Sequence, residues 1–291
     1  MKDFPIPIRM VGPGSQPADD DELQYLAMPR DMHTFRMPIV PDRAEAGALA
    51  TARDLLATFL GSMERWDPAA RAFGPRLALD EVPAAALEVA NQVLGEGEVS
   101  IQVAGASTYK IQESVFTGLW RVCAFDGDGR PSGDWLEAGM LPQVTLEAAR
   151  AAASPSLPPV AVPAGAMNSP ALLHEITAQI RGRKPGRPAH VINLTLFPMT
   201  PDDHALLDHA LPVGPVAIMT RGFGNCRITS TGARDVWRVQ YFNNMNTLIL
   251  NTIEIVDVPE VAQAAPEDLE DTRVRLAELV DWMSESCPAQ A

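Results

Sequence analysis

Cys226 has the neighbours that chemistry would want. It follows Gly222, Phe223, Gly224 and Asn225 at a turn, with Arg221 and Arg227 close by in the chain. A thiol exposed among cations ionises more readily and could serve as a metal ligand or redox group. His204 and His209 are the other candidates, but a spacing of five rotates them roughly 140° apart on a helix, too far for one shared ion. No Cys-x-x-Cys, His-Glu-x-x-His or ligand-spaced carboxylate cluster occurs. Gly12-Pro-Gly14 matches neither a Walker loop nor a dinucleotide fingerprint, and Gly222 to Gly224 is not followed by a helix. The residues therefore point to no catalytic group, no metal site and no cofactor. A chain of that kind suits binding better than turnover.

The elements that position these residues come in two copies. Shifting the sequence by 117 positions aligns Leu77 with Leu194, Gly97 with Gly214, Ile101 with Ile218, Gly105 with Gly222 and Ile111 with Ile228. Trp120-Arg121-Val122 falls on Trp237-Arg238-Val239, and Glu137 falls on Glu254, with no gap. The matched residues are those that make cores and turns. Tyr109 stands opposite Cys226 in this register, so the scaffold itself needs no thiol there, and a buried, inert cysteine is the simpler reading.

Each copy reads as a helix, a short strand (76–79 or 191–197), a second helix (83–93 or 201–210) and four strands. In the second copy those strands span 215–221, 226–231, 236–243 and 247–256. Gly and Asn at 222–225 and 243–246 suit hairpin turns, and short connections imply antiparallel pairing. The expected fold is α+β: two tandem pseudo-repeats, each a mostly antiparallel sheet with helices packed on one face. The paired tryptophans should pack against the helices of their own unit, with Arg121 and Arg238 turned the other way, to solvent or to the other copy. Cys123, beside the first tryptophan, reads as core.

The first unit is placed at 44–150 and the second at 167–291, the latter including a closing helix over 267–283. An Ala/Pro/Ser linker joins them at 151–166, and an extended, proline-rich arm precedes them at 1–43. The basic stretch from Arg181 to Arg187 is either a solvated loop or a contact for an acidic partner. With 37 acidic and 23 basic residues the net charge is −14, which disfavours phosphate backbones and anionic membranes. No apolar run approaches the ~20 residues that a membrane helix needs, and Met1 to Pro17 has no secretory-signal core. Three scattered cysteines (Cys123, Cys226, Cys287) fit a reducing compartment, so the chain is expected in the cytoplasm without membrane insertion.

The run from Gly222 to Ile228, then Val236-Trp-Arg-Val239, then Tyr241 to Ile255 and Val258-Pro259 resembles the C-terminal region of the HupH/HyaF family of hydrogenase expression and formation proteins. Gln112 to Val122 and Gly12 to Gln16 are in keeping with it. The resemblance implies a role in maturing nickel–iron uptake hydrogenases. It implies as partner the precursor of the iron–sulfur small subunit, and possible contact with other maturation proteins. It brings no catalytic residue to carry over. On this reading the contact surface comprises Gly222, Phe223, Gly224, Asn225, Cys226, Arg238, Asn243 and Asn244, together with the apolar arm. An iron or iron–sulfur carrier using Cys226 is the alternative, and a maturation enzyme stands behind both.

Overall fold

The computed structural model describes residues 46–67, 73–222 and 224–286. The arm at 1–43, Phe223 and Cys287 lie outside them. The first repeat runs α1 (Ala46–Glu64), β1 (Arg76–Ala78), α2 (Ala84–Leu94), β2 (Val99–Val103), β3 (Thr108–Glu113), β4 (Leu119–Phe125), β5 (Pro131–Ala138) and α3 (Gln143–Ala151). The second runs α4 (Ser169–Gly182), β6 (His190–Asn193), a 3-10 turn (Leu194–Leu196), α5 (Pro201–Ala210), β7 (Val213–Thr220), β8 (Asn225–Thr231), β9 (Val236–Phe242) and β10 (Leu248–Ile255). A second 3-10 turn (Glu260–Ala262) and α6 (Pro266–Ser286) close the described chain. No described helix is long and apolar enough to cross a membrane.

The two repeats share one ten-stranded antiparallel sheet in the order β1-β5-β4-β3-β2-β7-β8-β9-β10-β6. The junction is self-complementary. In the β2–β7 pair Ile101 faces Ile218, its own repeat equivalent, with Val99 opposite Thr220 and Val103 opposite Val216. This is the pattern of a two-fold dimer interface, here made within one chain.

Side-chain alternation sets the two faces. Leu119, Leu136 and Ala138 form one core with α1, α2 and α6. Val236, Ile253 and Ile255 lie on that same face and form another core with α4 and α5. On α1, Leu49, Ala52, Leu56, Phe59 and Met63 recur at alternating spacings of three and four, a single apolar stripe. Leu276 and Met283 of α6 pack into that first-repeat core, so the last helix crosses back over the first half.

The opposite face holds Ile101, Ile111, Trp120, Val122, Ile218, Ile228, Trp237 and Val239. It is covered by α3 and by the segment around Val258 and Ala262. The tryptophans therefore do not meet the paired helices of their units as expected. They point to the other face, where α3 is the one described helix. Their indole N–H groups donate to equivalent carbonyls, Trp120 to Gly139 at 2.8 Å and Trp237 to Val256 at 3.2 Å.

The arginines also differ from expectation, because each pins the sheet to a helix of its own copy. Arg121 binds Asp134 on β5 and Asn91 on α2. Arg238 binds Asp208 on α5 at 2.8 Å. Asn91 corresponds to Asp208, and Asp134 to Asn251, so each copy keeps one acid and one amide at these positions but exchanges their places. Cys123 shares the face of Arg121 and is only partly buried, with its thiol near Asp134.

One further reading changes. The strand expected over 191–197 stops at Asn193, because the Asn193 side chain accepts the Thr195 N–H and turns the chain into the 3-10 turn. The linker is strapped down: Ser154 bonds through its backbone to Gly232 and Arg234, and Leu157 and Val160 pack on the second core. In the basic loop, Arg183 pairs with Asp257 of the same chain at 3.1 Å.

Candidate partner-binding site

Register brings several loops to one end of the sheet. Thr220 pairs with Cys226, Asn225 with Phe242 and Leu248 with Phe242, so the β7–β8 and β9–β10 turns lie side by side. Thr252 pairs with Asn193, which puts the Leu194–Leu196 turn beside the start of β10. Strand spacing makes this rim roughly 20 Å wide. Its most exposed apolar side chains are Met245 (85%), Leu196 (77%) and Ile249 (56%).

Of the residues singled out from sequence, Gly222, Gly224, Asn225, Asn243 and Asn244 gather at this end, and Phe223 lies outside the described residues. Gly224 has φ +96°, which favours glycine, and a Cβ on Gly222 would strike the Glu98 carboxylate. Asn243 is a turn builder: its side-chain oxygen accepts the Met245 and Thr247 N–H groups, both at 2.9 Å. Arg238 is not part of the rim, being near the far end of β9 and held by Asp208.

Cys226 is fully buried in the core under the tryptophan face, so it presents no surface to a partner. Burial pushes its thiol up to about 12, against a lowering contribution from the Tyr241 hydroxyl. A thiol so buried is protonated near neutrality and has no exposed face. His204 and His209 join no cluster of metal-binding side chains, and none is found among the described residues.

One part of the site was not foreseen. Beside Gly222 a cavity of about 370 Å³ opens at the junction of the repeats, with Glu98, Glu113, Thr220, Gln263 and Asp268 in its wall. Glu113 is buried, and its Oε1 accepts the Gly118 N–H at 2.9 Å. Burial first, and then the charges of Glu98 and Asp268, raise its carboxyl to about 7. The signal in the sequence was an acid at an inward strand position where the second copy has Ser230, whose hydroxyl simply accepts the Val216 N–H.

This carboxyl makes stability depend on pH. Between about 4.5 and 7 the folded chain holds the proton that the unfolded chain has lost, so stability falls as pH rises through that window. Glu113→Gln keeps an oxygen for Gly118 and removes the charge. The variant is expected to be more stable than the natural protein by roughly 2 kcal/mol at pH 8, with the gain vanishing towards pH 4.5. Denaturant titration at both pH values checks this; an equal gain at both would refute it.

Comparison with known proteins adds an independent observation. A family model described as the C-terminal conserved region of HupH hydrogenase expression protein matches twice, over residues 49–155 and 166–283, once for each repeat. The hydrogenase expression/formation protein HoxQ of Cupriavidus necator is 44% identical over 284 residues, covering 97% of this chain and 99% of that protein. HupH of Rhodobacter capsulatus, also a hydrogenase expression/formation protein, is 38% identical and covers 97% and 98%. Among solved structures, the hydrogenase expression protein HupH from Thiobacillus denitrificans is 25% identical, with a TM-score of 0.36, covering 39% of this chain and 95% of that one.

Proposed function

The chain belongs to the HupH/HyaF family of hydrogenase expression and formation proteins, and from that premise we propose that it is a cytoplasmic chaperone for the iron–sulfur small subunit of a nickel–iron uptake hydrogenase. It holds the subunit's precursor before assembly with the large subunit and export, and acts by binding rather than by catalysis. The observation that carries the reading is similarity along the whole chain to proteins named for hydrogenase expression and formation. The rim gives it a physical basis. Met245, Leu196 and Ile249 offer apolar contacts that an unassembled subunit could occupy and later release. The burial of Cys226 favours this reading over an iron carrier.

Anaerobic co-purification with the small-subunit precursor tests it, with iron assayed in the product. A stoichiometric complex in which iron follows the precursor is the expected result. No complex, with iron on this chain alone, would overturn the proposal.

A further inference from the structure

The duplication provides an internal control for the rim. In each repeat the strand pair that ends at this position is joined by the same turn. In the first, the Asp126 side chain accepts the N–H groups of Asp128 and Arg130. In the second, Asn243 does the same for Met245 and Thr247. These residues correspond one to one in the repeat register. The geometry is kept while three charges become none, and Met245 becomes an exposed apolar side chain.

The strand that follows repeats the contrast. Outer pairing stops at the same place in both copies. The Asp134 N–H donates to the Asp80 side chain at 3.1 Å, and its equivalent, the Asn251 N–H, donates to Thr195 Oγ1 at 2.9 Å. Beyond that stop the first copy reads Pro131-Ser132-Gly133, a strand edge blunted against further pairing. The second reads Leu248-Ile249-Leu250. There Ile249 sits at a bulge with no register partner in β9, and β6 covers only Thr252–Ile255. Among the described residues, 248–250 thus have no paired outer strand, with the Leu194–Leu196 turn beside them and Leu196 and Met245 exposed.

We propose that the edge of β10 at Leu248–Leu250 is a docking site for an extended apolar segment of a partner polypeptide, added as a further strand. An edge without a paired outer strand favours an extended backbone, because a further strand can pair with its outward N–H and C=O groups in register. Charge selects the kind of segment. No charged residue lies between Arg238 and Glu254, while the chain as a whole carries −14. The occupant is therefore apolar at the edge with basic rather than acidic flanks. This deepens the chaperone reading and rests on it for the partner being a polypeptide.

The probe is a short synthetic peptide of alternating valine and threonine with lysine at each end, beside a copy N-methylated at alternate residues. Hydrogen exchange is followed with and without each. The first peptide is expected to slow exchange over 248–250, and the N-methylated copy is not. Writing the first repeat into the second (Leu248→Pro, Ile249→Ser, Leu250→Gly) is expected to weaken peptide binding by about tenfold or more. Ile249→Lys, at an exposed bulge that the fold does not need, should weaken it in the same direction if the triple variant fails to fold. Equal protection by the N-methylated peptide, or unchanged binding in Ile249→Lys, overturns the inference. So does protection without peptide that grows with protein concentration, which would make the occupant a second copy of this chain. If these variants capture the small-subunit precursor as well as the natural protein, the edge is refuted and the chaperone reading stands. If the natural protein binds the peptide but not the precursor, the reverse holds.

Discussion

Asp203→Ala is expected to cost about 3–5 kcal/mol of folding stability. The carboxylate is fully buried. One oxygen accepts the backbone N–H groups of Met167, Asn168 and Ser169 and the Ser169 hydroxyl, at 2.7–2.9 Å. The other accepts the Thr200 N–H and hydroxyl, closing a capping box at the start of α5. One side chain thus holds the first turns of two helices. Burial pushes the carboxyl up, but this set of donors outweighs it and holds the group well below the usual carboxylate range. Alanine leaves the donors buried without an acceptor. Asparagine helps little, since its amide would point a donor at donors. Because the folded-state pKa is depressed, the contribution is present above the unfolded value of 3.8 and is lost as pH falls through the folded one. Denaturant unfolding at pH 7 measures the loss, and a cost below about 1 kcal/mol would show that the network repairs itself.

Trp120→Ala is expected to cost about as much, roughly 3–5 kcal/mol. Trp120 has no exposed surface, and its ring is surrounded by a close-packed face that cannot collapse into the space it leaves. The indole also satisfies the Gly139 carbonyl. Trp120→Phe separates the two contributions, since it keeps most of the ring and gives up the hydrogen bond, for about 1–2 kcal/mol. Trp237→Ala should lose a comparable amount, because its ring is 3% exposed and its bond to Val256 is the repeat equivalent. A thermal or denaturant series over the four proteins decides it. A Trp120 variant within experimental error of the natural protein would mean that the face is loosely packed.

The sequence was most informative where the two copies could be compared. The Trp-Arg-Val match located β4 and β9 and set the rings and the guanidinium groups on opposite faces, as they are. It could not say which face carries the helices, since alternation looks the same from both sides. The β2–β7 junction was invisible for another reason: Ile101 and Ile218 are each ordinary strand residues, and no local signal reports a pairing across 117 positions. The turns of the rim were legible from glycine and asparagine. The cavity was not, because Glu98 in the α2–β2 connection, Glu113 on β3 and Asp268 on α6 are brought together only by the fold. Asp203 could not be singled out from sequence, because its partners at 167–169 lie more than thirty residues earlier, at the end of the linker.

The central strand pair has a consequence for how the protein is made. When β2 leaves the ribosome its outer edge has no neighbour until β7 follows, and Ile218 comes 117 residues after Ile101. At ~5–20 residues per second the nascent first half waits roughly 6–23 s with an open apolar strand in the middle of its future sheet. Over the same interval its helix layer lacks α6, the last described helix to be translated. A protein proposed to shelter another's unfinished surface thus passes through an interval of synthesis in which its own is unfinished, and a translational pause between the repeats would lengthen that interval.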